Sequence, residues 1–362
     1  MRLDRLWLQD FRTYAQLDLE LPPGLTCIIG QNGIGKTNLL ESIAYAVTLE
    51  SFRGAESAAL VRVAEPPAPR AIVRAQGMGF DRDVLVELEI RPQGRGRVQL
   101  NRKRLTRTGD LLERWRVSVF SPDDLSLVKG SPGGRREFMD RAVVMISPAF
   151  DGVRKDLARV LKQRNALLRQ NSGRLDADAT MTLDVFDERL AALGERVGSA
   201  RLQLLHDVTP YVQEAYATLA GAAKQVELLY DPAWMQEGLH EALTRTRSND
   251  VRRGVSQVGP HRDDLGVVLG GLPARSHASQ GEQRSLALAL RLGVHLLVAD
   301  QLGEPPILLL DDVFSELDNS RSNALFAALP PGQALLTSAI DLPEGAEPEL
   351  TLSATPGTLT PV

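Results

Sequence analysis

The residues best suited to chemistry come early, in "GQNGIGKTN", Gly30 to Asn38. Gly30-x-x-x-x-Gly35-Lys36-Thr37 has the spacing of a P-loop, with an apolar run "LTCIIG" before it and helical spacing after it. Glycines at those positions let backbone N–H groups turn inward around phosphate oxygens, and a helix N-terminus adds the positive end of its dipole. Lys36 is expected to act as a point charge on the β- and γ-phosphates of ATP, and Thr37 to offer its hydroxyl to Mg²⁺. The expected nucleotide contacts are therefore Gly30, Gln31, Asn32, Gly33, Ile34, Gly35, Lys36, Thr37 and Asn38. Two further stretches carry suitable groups. "ILLLDD", Ile307 to Asp312, ends an apolar strand in two carboxylates. Asp311 is placed to hold Mg²⁺, and Asp312 to orient or deprotonate an attacking water. "SQGEQ", Ser279 to Gln283, opens an apolar helix. Ser279-x-x-Glu282 reads as a capping box, but Gly281 inside the first turn costs about 1 kcal/mol relative to alanine, and a cap does not require it. A glycine there lets an outside phosphate approach the helix end.

These groups need elements to hold them. "RLDRLWLQDF" and "YAQLDLELP" alternate apolar and polar residues as strands do, and "LTCIIG" reads as a buried strand. From Thr37 the period becomes helical, with Leu39, Leu40, Ile43 and Val47 on one face. Residues 70–107 read as short antiparallel strands, whereas 134–220 carry almost no strand signal. There Leu183, Phe186, Leu190, Leu193, Val197, Ala200 and Leu204 recur at alternating steps of three and four. Val153, Leu157, Val160 or Leu161, and Leu167 or Leu168 form a rougher partner stripe. The pattern predicts a helical hairpin, with a plain bundle as the alternative. Strand character returns near "DLGVVLGGL", so an α/β domain split by an inserted helical domain is expected.

The 362 residues suffice for two domains, and 43% hydrophobic with 24% charged residues is ordinary globular composition. One cysteine, Cys27, forms no intramolecular disulfide and fits a reducing cytosol. No uncharged apolar run approaches the ~20 residues of a membrane span, and a cytosolic protein is expected. With a net charge of −4, a polyanion must be bound by local patches. Two basic runs stand out: residues 91–107, with Arg91, Arg95, Arg97, Arg102, Lys103, Arg104 and Arg107, and residues 154–174.

"GQNGIGKT", "SQGEQ", "LLLDD" and "SELD", Ser315 to Asp318, occur in the order used by ATP-binding-cassette ATPases. The N-terminal stretch from "LQDFRTY" resembles the SMC and RecF group of DNA-repair ATPases, and "FSPDDLSLVKGSPGGRREFMDR" with "GPHRDDL" is similar to the RecF family in particular. The resemblance implies an SMC-like P-loop ATPase head, residues 1–123 and 257–362, with an inserted α-helical arm domain, 124–256. It also implies an ATP-dependent homodimer in which Ser279 and Gly281 of one copy, with Glu282 and Asp318 nearby, complete the nucleotide site of the other. Arg12 would stand beside the phosphates. The family's activity would be slow, Mg²⁺-dependent ATP hydrolysis coupled to binding duplex or gapped DNA. Its members act with RecR and RecO to load RecA in recombinational gap repair. A transport ATPase or an SMC-like tether is the alternative. Asp312 stands where transporter-type cassettes usually carry Glu, Thr337 and Ser338 end the strand that usually precedes a histidine, and Asp123 or Asp124 would replace a glutamine between subdomains. The residues imply no role for His261 beyond packing a loop. The basic arm residues Arg154, Lys155, Arg159, Lys162, Arg164 and Arg169 are the expected DNA contacts.

Overall fold

The computed structural model describes residues 1–64, 67–94, 96–171, 173–339 and 346–362, so Arg95 of the first basic run lies outside the described residues. The chain forms two compact units. The first comprises Met1–Leu125, Tyr211–Ala223 and Arg284–Val362; the second, Ser126–Pro210 and Lys224–Gln283. The first cut falls two residues from the expected boundary. The return cut does not: residues 257–283 group with the inserted unit, because the strand Gly266–Leu269 pairs with Val226–Leu229 and Leu272–Pro273 there. The helix Ala177–Ala220 belongs to both units, and the division falls at its internal Pro210.

The first unit holds two six-stranded sheets. One is antiparallel, in the order Tyr14–Glu20, Arg2–Phe11, Ala71–Gly79, Arg82–Ile90, Arg97–Leu100, Lys103–Arg104. Leu3, Leu6, Leu8 and Phe11 are all buried, but at steps of three, two and three: the register shifts between Leu3 and Arg5, and Asp10 takes a φ of 49°, so the expected period of two is broken towards both ends of the strand. The other runs Thr358–Pro361, Leu350–Thr355, Leu25–Ile29, Ala334–Ser338, Ile307–Asp311, Val117–Phe120, parallel except for its outermost antiparallel pair. All five residues of Ile307–Asp311 are buried, as a central parallel strand requires. The helix Lys36–Thr48 buries Leu39, Leu40, Ile43 and Val47, the expected face. The helix Gln280–Leu302 is long and apolar enough to cross a bilayer, yet 67% of its most apolar window is buried inside the protein, as in a core helix.

In the second unit the heptad seam differs from the expected one at alternate positions. Leu183, Leu190, Val197 and Leu204 are buried as expected, but Asp187, Gly194 and Arg201 occupy the intervening buried sites, while Phe186, Leu193 and Ala200 flank them half-buried. Each substitution has its cause in a residue distant in sequence. Asp187 accepts from Arg164 Nε at 2.6 Å, and Arg201 Nε donates to Asp140 at 2.8 Å. A Cβ on Gly194 would lie 2.2 Å from Leu239 Cδ2. In the preceding helix Phe150–Gln170 the buried positions include Val153, Leu157, Val160 and Leu168, resolving both alternatives.

Candidate functional site

The strand Leu25–Ile29 leads into the phosphate loop and the helix Lys36–Thr48. Gly33 and Gly35 have φ of 84° and 114°, in the region that favours glycine. Gly35 is doubly constrained, since a Cβ there would lie 2.4 Å from Thr13 Oγ1. The turn between the first two strands buttresses the loop: Tyr14 Oη donates to Gly35 O at 3.1 Å, and Asn38 Nδ2 donates to Thr13 Oγ1 at 3.2 Å. Lys36 Nζ donates to Gly30 O at 2.6 Å and Gln31 O at 2.9 Å, with Asn32 Oδ1 at 3.4 Å. Burial pushes the Lys36 ammonium down, and the charges of Asp312 and Asp311 oppose that shift. The cleft over the loop measures about 300 Å³ and is lined by Asn32, Lys36, Thr37, Asn38, Arg53 and Asp312, among others.

The sheet order sets the acidic side of the site. Ala334–Ser338 lies between the P-loop strand and Ile307–Asp311, so Thr337 sits beside the two aspartates. Thr37 Oγ1 and Thr337 Oγ1 both donate to Asp311 Oδ1, at 2.8 and 2.9 Å. Burial raises the Asp311 carboxyl; these two bonds pull it back, and the neighbouring Asp312 adds to the rise. Asp312 takes a left-handed φ of 49°, and its N–H donates to Thr337 O and Oγ1 at 3.1 and 3.0 Å. Asp312 Oδ1 is buried without a hydrogen-bond partner. A hydroxyl on a buried carboxylate beside an orphaned carboxylate oxygen is a donor set of hard oxygens that fits Mg²⁺. A Cβ on Gly33 would meet nothing within 4 Å, so the loop backbone there is open to the approach of a polyphosphate.

The other expected residues lie as follows. Arg12, with φ of 51°, donates through Nε and Nη2 to Glu41 at 2.8 and 2.9 Å; Glu41 is fully buried and also accepts from Ser51 Oγ. Asp318 caps the helix Asn319–Ala327, accepting from Arg321 N at 2.9 Å and Nη1 at 2.8 Å. Ser279 and Glu282 form the reciprocal capping box: Ser279 N donates to Glu282 Oε2 at 2.7 Å, and Glu282 N to Ser279 Oγ at 3.3 Å. Lys224 also donates to Glu282, whose carboxyl is held down to about 2 by that bond first and by Ser279 second. Gly281 stands one residue into the helix. Asp124 is buried and accepts from Arg291 Nε at 2.8 Å, whereas Asp123 is exposed. His261 Nε2 lies 3.2 Å from Ser256 O, and burial pushes the ring down to about 4, so it packs as a neutral group. Sequence reasoning gave no site role to Arg53, to Thr13 inside the "FRTY" stretch, or to Thr337, which it named only as ending its strand.

The two family-specific stretches meet within the second unit. Arg135 Nε and Nη2 donate to Asp264 at 2.7 and 2.8 Å, and Arg136 Nη1 donates to Asp263 O at 2.8 Å. Tyr230 Oη and Trp234 Nε1 donate to the Asp263 carboxylate at 2.6 and 2.9 Å. The arm residues are corrected in one respect. Arg164 is fully buried and cannot face DNA: it donates to Asp187 at 2.6 Å and to Asp250 and Ser256, each at 2.8 Å. Arg154 and Lys155 both bridge to Asp151, and Arg159 bridges to exposed Asp156 at 2.7 Å.

Residues 2–334 match the family described as the RecF/RecN/SMC N terminal domain. The chain is 43% identical over 357 residues to the DNA replication and repair protein RecF of Streptomyces avermitilis, covering 94% of each chain. It is 44% identical over 367 residues to that of Frankia alni, covering 96% of each. A solved structure described as the recombination mediator protein RecF-ATP in the RecFOR pathway superposes with a TM-score of 0.90 at 27% identity, over 99% of this chain and 97% of that one. An Smc head bound to the C-winged helix domain of ScpA, at 17% identity and TM-score 0.58, shares the fold over 100% of this chain and 97% of its own. A phosphate loop, a strand ending in two aspartates and an inserted helical unit thus come with relatives aligned along nearly their whole length: the chain belongs to the RecF family within the RecF/RecN/SMC N-terminal group.

Proposed function

We propose that this protein is an ATP-dependent DNA-binding protein of recombinational gap repair, and that it hydrolyses ATP slowly. The observation that carries the reading is the Thr37–Asp311 contact, which joins the phosphate loop to the acidic strand end at 2.8 Å beside the unpartnered Asp312 Oδ1. Lys36 holds the β- and γ-phosphates, and the backbone of Gly30 to Gly35 cradles them. Thr37 and Asp311 would hold the magnesium ion, whose chemistry is to neutralise phosphate charge. Asp312 orients water, and Arg53, on the cleft wall, adds positive charge.

Ser279 is exposed at a helix start, a position open to a second copy of the chain, so the proposed working unit is an ATP-gated homodimer. Its relatives' pathway suggests RecR and RecO as partners, RecA loading as the outcome, and the nucleoid-containing cytoplasm as the place of work. ATP-gated closure on duplex near a single-strand gap would make it a clamp or loader.

The testing experiment is anisotropy of a labelled gapped duplex, titrated with and without ATP·Mg²⁺. Lys36→Met is expected to weaken ATP binding about 100-fold, the size of a lost charge-assisted contact of about 3 kcal/mol, and to abolish ATP-dependent duplex binding. Duplex binding that ignores nucleotide would remove the gating. Charge reversal at Arg159 and Lys162 is expected to weaken duplex binding severalfold and to flatten its salt dependence by about one to two units. Unchanged affinity would take the arm out of the interface.

A further inference from the structure

The antiparallel sheet of the first unit separates its charges unevenly. On its middle strands most cations are matched, Arg74 with Glu87 at 3.3 Å and the flanking Arg70 and Arg91 both with Glu89, and among the described residues exposed Arg82 at a strand end is the exception. The last two strands, Arg97–Leu100 and Lys103–Arg104, break that rule. Arg97, Arg102, Lys103, Arg104 and Arg107 are exposed, and among the described residues none lies within ion-pair distance of a carboxylate. Unmatched cations at a sheet edge repel one another, a cost that a polyanion relieves.

They are also shaped. A groove of about 560 Å³ opens at this edge, lined by Leu49, Arg97, Val98, Arg104, Thr106 and Arg107, among others. Three guanidinium groups form a donor set for phosphate oxygens, and Arg matches phosphate geometry with two donors at once, while the Thr106 hydroxyl on the same lining donates to Asp110 at 3.4 Å. No lining residue is aromatic, so bases have nothing to stack on, and the groove suits a duplex backbone better than a single strand. Leu49 caps the C-terminal end of the helix whose N-terminal end is the phosphate loop, so the groove and the nucleotide cleft lie at opposite ends of one rigid element.

We propose that the groove between Arg97, Arg104 and Arg107 is a phosphodiester-binding subsite for the backbone of duplex DNA. This rests on the DNA-binding reading above and names residues for it outside the helical arm. The test is anisotropy of a labelled duplex with ATP·Mg²⁺ over a salt series, comparing the wild-type protein with R97E/R104E/R107E. An Arg→Lys triple variant and the thermal melts of both variants serve as controls. The charge-reversed protein is expected to melt like wild type, since all three side chains are exposed. It is expected to lose at least ~10-fold in affinity and about 2–3 units of salt slope, at about 0.9 per phosphate contact. The lysine variant should recover most of the binding. If wild type binds and the reversed triple binds equally, with the same slope, the groove is not a DNA subsite and an acidic protein surface becomes its occupant. If wild type itself binds no duplex with or without ATP, the DNA-binding reading falls, and the groove assignment with it.

Discussion

Arg164→Ala is expected to destabilise the protein by about 3–5 kcal/mol, the cost of leaving the buried Asp250 carboxylate without its cation, while Asp187 keeps Arg247 Nη2 at 2.7 Å. Arg164 has no exposed surface, and neither do its partners to any useful extent: Asp187 is 1% exposed and Asp250 fully buried. Burial already pushes the Asp250 carboxyl upward, and Arg164 is the main group opposing that shift. Without it Asp250 would be protonated or would drag in water, and the Ser256–Arg164 bond would be lost as well. Urea unfolding followed by circular dichroism measures the effect. A loss below about 1 kcal/mol, the scale of a solvated ion pair, would show that water reaches the cluster. Replacing Arg164 and Asp250 together with apolar residues of similar volume, and leaving Asp187 with Arg247, should recover most of the loss, because the penalty lies in the unpaired charge.

Arg164 also shows why part of the arm was not legible in the sequence. A basic residue in a basic run looks the same whether it faces solvent or two carboxylates that lie 23 and 86 residues away. The seam failed for the same reason. An apolar count picks Phe186, Leu193 and Ala200, but the buried positions went to Asp187, Gly194 and Arg201, each satisfied by a distant partner. Local pattern carries periodicity, not long-range pairing. By contrast, the alternating strands, the face of Lys36–Thr48 and the fully apolar Ile307–Asp311 were readable, because one-sided or complete burial is written into each stretch.

The phosphate site divides along the same line. Its glycines, lysine and aspartates have fixed spacing and were legible. Thr337 is not, since it reaches Asp311 only because Ala334–Ser338 is inserted between the P-loop strand and Ile307–Asp311. Arg53 is similar: it lines the cleft because the segment after the helix folds back, with Ser51 tied to Glu41 and Arg53 N donating to Ser51 Oγ at 3.1 Å. The capping box at Ser279 was legible and is formed, with Ser279 bonded to Glu282 through both its backbone and its side chain.

Asp312→Asn is expected to lower ATP turnover by about 10²–10⁴-fold, the usual worth of a positioned general base, while leaving ATP affinity within a few-fold of wild type. The substitution keeps the side chain's shape, so the left-handed backbone at Asp312 and its two N–H bonds to Thr337 should survive. Removing the charge also removes one of the effects that raise the Asp311 carboxyl, so Asp311 becomes easier to ionise and its hold on a cation is at least preserved. Lys36 loses one of the two charges that oppose its downward shift, but its contacts to Gly30 O and Gln31 O do not involve Asp312. Binding and hydrolysis should therefore separate. Fluorescent-nucleotide titration would report near-normal affinity, and single-turnover assays would report an arrested enzyme. If the protein dimerises on ATP, the variant should accumulate as the dimer in light scattering and hold duplex DNA longer than wild type. A variant that turns over within about threefold of wild type would place the water-orienting group elsewhere in the cleft. Loss of affinity matching the loss of turnover would instead make Asp312 a ligand of the bound nucleotide and its cation, with no part reserved for the hydrolytic step.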